Sequence, residues 1–197
     1  MADEALFEAY ARLELLLKNL PAERAQLAKK GAALHIIGKN QVTSDLPEHR
    51  HLKGKIIYEN KWTVDERTRG LGGLLTSCGE ENLLRLESDR YKGRDICIHE
   101  FSHNIQDSGT SDAVRAKIRA QFKKSTDAGL WKGAYAATNE HEYFAELTMW
   151  YFGTHGDLNM TGVKPENGPD GLKKYDPEGF QLLDDFYSGR LSAKEKP

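Results

Sequence analysis

The pentapeptide His99-Glu100-Phe101-Ser102-His103, set in Asp95-Ile-Cys-Ile-His-Glu-Phe-Ser-His-Asn-Ile-Gln106, constrains this chain more than any other stretch. Histidines at i and i+4 of a helix stand on one face, with Cβ atoms about 5–6 Å apart. That spacing lets both imidazoles reach one zinc ion, at roughly 2.0–2.1 Å each. The glutamate after the first histidine then projects near the metal, where it can take a proton from a water held there. Ile98, Phe101 and Ile105 form an apolar stripe beside the histidines. The pattern therefore predicts a helix buried on one side, from about residue 94 to residue 107 and stopping near Gly109. The competing reading is a helix that turns two histidines and a glutamate to solvent.

Composition narrows the partners. A chain of 197 residues fits one domain spanning 1–197. Its net charge of −2, with no extended basic stripe, argues against nucleic acid. No run of eighteen or more apolar residues is present, so no membrane span is expected. The opening Met-Ala-Asp-Glu-Ala-Leu-Phe-Glu is acidic and amphipathic, unlike a signal peptide. Cys78 and Cys97 allow one disulfide without demanding it, and neither belongs to a C-x-x-C pair.

Along the chain, residues 3–30 read as an N-terminal helical segment, with Leu6, Tyr10, Leu13, Leu17 and Leu20 at helical spacing and a break at Pro21. Residues 33–38 are short, apolar and β-branched, which predicts a buried strand with His35 as a core histidine rather than a ligand. The stretch 39–73 is polar and irregular, with 55–62 either a weak strand or an extended loop, and 65–73 loop-like by its glycines. Residues 74–79 read either as an edge strand beside the site, able to pair with an extended peptide, or as a connecting loop. A helix is predicted over 111–124. Another is capped by Thr138 or Asn139 and runs through Phe152. Residues 156–176 read as a long irregular excursion, 177–187 as a C-terminal helix with Phe180, Leu183 and Phe186 inward, and 192–197 as a frayed tail.

Two histidines do not complete a catalytic zinc site, which usually has three protein ligands and an open position. The helix Asn139-Glu-His-Glu-Tyr-Phe-Ala-Glu-Leu-Thr-Met-Trp150 offers Glu140, His141, Glu142 and Glu146. Glu142 and Glu146 share a face with Ala145 and Met149, and acids in such a setting are costly unless a cation or donor meets them. With the histidine pair upstream, Glu142 is the favoured third ligand, and Glu146 one turn along is placed to orient a metal-bound histidine. Solvent exposure of both acids is the alternative.

Tyr135-Ala-Ala-Thr-Asn-Glu-His-Glu-Tyr-Phe-Ala-Glu146 closely resembles the third-ligand region of the gluzincin zinc metallopeptidases typified by the catalytic domain of anthrax lethal factor. That family shows Y-x-x-T-N-E-x-E-[FY]-F-A-E after an H-E-F-x-H helix, and both motifs occur here in order. The resemblance covers roughly residues 96–150 and implies His99, His103 and Glu142 as zinc ligands with Glu100 as general base. It also implies that Tyr135 aims its hydroxyl at the site, to stabilise an oxyanion or protonate the leaving group. Residues 76–84 are similar to secreted proteins of the same zinc-peptidase group, which implies secretion or export. The chain has no room for the toxin's substrate-docking domains, so its protein-kinase-kinase specificity is not implied.

The expectation is thus an α+β, zincin-like metallopeptidase domain with a small mixed sheet, an active-site helix and a third-ligand helix, its active-site region spanning about 74–155. One Zn2+ per chain and a peptide or protein substrate follow. A zinc hydrolase acting on a glycan or glycopeptide, or a zinc-binding toxin or effector module, are the competing classes. A purely structural zinc would need neither Glu100 nor Tyr135.

Overall fold

A computed structural model describes residues 1–155 and 163–193. Residue 156 through residue 162, at the start of the expected excursion, and the tail 194–197 lie outside the described residues. The chain opens with helices α1 (Asp3–Leu17) and α2 (Pro21–Lys30), then strand β1 (Ala33–Ile37). Two short 3-10 turns (Thr43–Asp45 and Pro47–Leu52) lead to a hairpin of β2 (Ile56–Tyr58) and β3 (Trp62–Thr63), then α3 (Val64–Arg67). Strands β4 (Gly70–Leu71) and β5 (Leu75–Gly79) follow, then α4 (Glu80–Leu83) and α5 (Ile96–Asn104), which runs into a π turn over Ile105–Gly109. After that come α6 (Asp112–Asp127), a 3-10 turn at Tyr135–Ala137, α7 (Glu140–Tyr151), α8 (Pro169–Tyr175), α9 (Pro177–Tyr187) and α10 (Arg190–Ala193).

The main sheet has the order β1-β5-β4. β1 runs parallel to β5, from Ala33↔Leu75 to Ile37↔Gly79, while β4 pairs antiparallel, with Gly70↔Cys78 and Leu71↔Ser77. Residues 75–79 are therefore the central strand rather than the edge. Hydrogen bonds on both sides hold β5, and one of the two edges, β4, belongs to the glycine-rich stretch read from sequence as loop. Side chains alternate across β5. Thr76 meets Asn104 of α5, Cys78 is disulfide-bonded to Cys97 of α5, and Ser77 faces the other way, 3.0 Å from His49 Nε2. β4 is anchored by Arg69, whose buried guanidinium donates to both Glu81 oxygens (2.6 and 2.7 Å) and to the Gly38 carbonyl.

The larger core lies on the far side of α5, where α6, α7 and α9 gather Phe101, Ile118, Trp131, Phe144, Leu183 and Phe186. α7 is buried along most of its length, from Tyr143 to Trp150. Asp176 caps α9 and also accepts from Ser125, Trp131 Nε1 and Tyr143, each at 2.8 Å, so that three elements converge on one satisfied buried carboxylate.

Several expectations change. α1 buries Ala5, Ala9, Leu16 and Leu17, leaving Leu6 and Tyr10 mostly exposed. The small alanines let the helix lie close to the Cys78–Cys97 region, and Arg12 on that face reaches Asp95 at 3.0 Å. His35 is half-exposed and paired with Glu48, not a core histidine. Residues 55–63 form the hairpin, and 169–175, inside the expected excursion, form α8 with Pro169 at its first turn. No helix among the described residues is long and apolar enough to cross a membrane.

Candidate metal centre

Capping sets the two helices that carry the site. Asp95 caps α5 by accepting from Ile98 N at 3.1 Å, and Arg12 and Arg85 in turn hold the Asp95 carboxylate. Asn139 caps α7 by accepting from both His141 N and Glu142 N at 2.9 Å. That second cap fixes the turn from which Glu142 projects across to α5.

Three donor atoms converge between the helices. His99 Nε2 and His103 Nε2 lie 3.3 Å apart, and Glu142 Oε2 lies 3.2 Å from the first and 3.6 Å from the second. Ligands in a tetrahedral shell at roughly 2.0–2.1 Å from zinc are separated by about 3.3–3.4 Å, so the triangle has the size that a zinc ion requires. Glu142 Oε2 is buried and has no hydrogen-bond partner. His99, Glu100 and His103 also bring side-chain atoms able to hold a metal within 4.8 Å of one another.

Electrostatics point the same way. Burial opposes a charge on His99, but the Glu142 and Glu146 carboxylates outweigh it and push the ring up to about 10. Burial would raise Glu142, yet His103 and His99 bring it down to about 2. Glu146 is held well below the carboxylate range, its burial outweighed by His155, His99 and Arg94. The acids thus favour positive charge beside them, which the His99 ring carries in the metal-free site and a divalent cation would supply when bound. The residues present fit a zinc ion.

The other expected residues surround this triangle. Glu100 is raised by burial, partly offset by His99 and His103, and the Gly72 backbone lies close against its carboxylate. Tyr135 is 50% exposed, its ring stacked at 6.3 Å from His99, and burial followed by the neighbouring Glu142 keeps its hydroxyl protonated well above the usual phenol range. Glu146 approaches the far nitrogen of His99, Nδ1, at 3.1 Å, away from the triangle. His141 faces Asp107 of the π turn at 3.1 Å, so neither alternative ligand joins the donor set. An open cleft of about 720 Å³ runs over the site, bounded by residues 70–73 on one side and by Tyr135 and the first turn of α7 on the other.

Sequence reasoning missed Gly72, Arg94 and His155. The glycines at 70, 72 and 73 carry a readable signal, since a backbone must approach something closely there. Arg94 and His155 are single residues in connecting segments and carry none.

No protein-family model matches the chain, and no curated protein sequence matches it. Among solved structures it resembles the Pro-Pro endopeptidase PPEP-2 from Paenibacillus alvei, with a TM-score of 0.60 and 19% identity over 91% of each chain. The fold is zincin-like. The likeness in fold spans 91% of each chain, well beyond the two short motifs, while the features particular to lethal factor gain nothing from it.

Proposed function

We propose that the chain is a zinc-dependent metalloendopeptidase, with His99, His103 and Glu142 as metal ligands, Glu100 as general base and Tyr135 as oxyanion donor. The observation that supports it best is the triangle of donor atoms, at zinc-ligand spacing, beside the half-buried Glu100 in an open cleft. When bound, a zinc ion supplies Lewis acidity toward a water and a substrate carbonyl. Glu100 takes the proton of the attacking water and delivers it to the departing amine. Tyr135, protonated at any ordinary pH, donates to the oxygen on which negative charge develops. The unpaired edge of β4 offers backbone groups to an extended peptide. Peptides containing Pro-Pro bonds belong in the substrate panel, because the structural neighbour is a Pro-Pro endopeptidase. Secretion or export is part of the same reading, and the Cys78–Cys97 disulfide suits an oxidising compartment.

The deciding measurement is zinc content with a chelator-reversible cleavage assay on wild type, Glu142→Ala and Glu100→Gln. One zinc per wild-type chain is expected, with zinc weakened or lost in Glu142→Ala. Glu100→Gln should keep its zinc and lose cleavage by about 10²–10⁴-fold. No zinc in the wild type would overturn the proposal, and a full site with no cleavage of any peptide would overturn the peptidase part alone.

A further inference from the structure

A buried polar cluster lies behind the donor triangle. Glu146, fully buried in α7, has one oxygen 2.5 Å from Arg94 Nη2 and 3.1 Å from His99 Nδ1. Its other oxygen lies 3.5 Å from His155 Nε2. His155 is itself fully buried and lies flat on Trp150, with ring centroids 3.6 Å apart and planes 10° from parallel.

The backbone brings these groups together by a specific route. After α7, Gly153 takes the left-handed conformation (φ 69°) and turns the chain back. Thr154 N then donates to the Met149 carbonyl at 2.8 Å, and the Thr154 carbonyl accepts from Asp95 N at 2.9 Å. Arg94 precedes Asp95 and His155 follows Thr154, so one backbone hydrogen bond holds both side chains beside the same carboxylate. The Arg94 carbonyl is fixed in its turn by Asn82 Nδ2 at 2.7 Å.

We propose that Arg94 and His155 are positioning residues that hold the Glu146 carboxylate against Nδ1 of His99, fixing the orientation of the ring whose Nε2 faces the metal. This rests on the metallopeptidase reading above. A carboxylate with a single neighbour can rotate about its last torsion. Glu146 has a fixed cation on one side and a stacked ring on the other, so it presents one oxygen to His99. An acid–base cluster of this kind is an expensive way to fill a core, and apolar side chains of similar volume would serve stability as well or better. Aiming a ligand through its outer nitrogen is a role that apolar side chains cannot fill.

The test compares His155→Phe, which keeps the ring on Trp150 and removes both nitrogens, with His155→Gln, and Arg94→Met with Arg94→Lys. The readouts are zinc affinity by chelator competition, the visible spectrum of the Co2+-substituted protein, and the melting temperature of the metal-free protein. His155→Phe and Arg94→Met should weaken zinc by about 10–100-fold and shift the Co2+ bands, with the Gln and Lys variants recovering part of both. Variants that melt lower without metal, yet bind zinc within twofold of wild type and leave the Co2+ bands unmoved, would reduce the cluster to a structural role and overturn the inference. Should Phe or Met prevent folding, the Gln and Lys variants decide it on the same two metal readouts. A wild type that binds no zinc is a separate result, which removes the underlying reading itself.

Discussion

A methyl group at position 72 would stand 3.1 Å from His103 Cβ, 3.2 Å from its Cδ2 and 3.3 Å from Glu100 Oε2. Those contacts can be relieved only by moving the histidine or the base by a few tenths of an ångström. The absent side chain is what lets the backbone just after β4 come this close to the active-site helix. Gly72→Ala should therefore retain zinc and lower kcat by about 10–100-fold, since sub-ångström misplacement of a reacting group is costly. Unchanged kcat would show that the segment simply moves aside. At this scale the sequence revealed residues whose spacing repeats a helix face, and the side chains of His99, His103, Glu142 and Glu146 lie near one another between α5 and α7. It hid residues whose partners lie far along the chain. Arg94 and Glu146 are fifty-two positions apart, and nothing local to either announces the other.

Among elements, α7 depends on its first turn. Asn139 satisfies two backbone donors there, one belonging to Glu142, so the cap sets both where the helix starts and where a candidate ligand points. Asn139→Ala should cost about 1 kcal/mol in unfolding free energy and weaken zinc binding, while Asn139→Asp keeps both. A variant that loses stability with zinc affinity intact would separate the cap from the site. Helices with caps and periodic apolar faces were legible in the sequence: α5, α6, α7 and α9 lie close to where they were expected. Sheet order was not, because two-residue β4 has no periodicity, and its pairing with β5 rests on Arg69 and Glu81. The face of α1 was misread because large side chains outweighed two alanines, although close packing favours the small residues.

For the molecule as a whole, the stretch between β1 and β2 covers the sheet face opposite α5. It does so partly through His49, which is buried against Ser77 with Glu48 at its side. Burial lowers His49 below its ordinary 6.5, with His51 and His35 adding to that and Glu48 opposing it. A histidine depressed in the folded state binds its proton more readily when unfolded. Its contribution to stability is therefore complete above about pH 6.5 and is lost as pH falls toward the folded value. Unfolding free energies of wild type and His49→Gln, measured from pH 7.5 down to 5, should show the steeper acid loss in wild type; parallel curves would assign the loss elsewhere. The cross-link from Cys78 to Cys97 has an effect at this scale too. It closes the intervening stretch, with Tyr91 and Arg94 at the rim of the cleft, into a covalent ring. A single backbone cut within that ring leaves both fragments tethered. A molecule nicked there would migrate as one species on a denaturing gel until its disulfide is reduced.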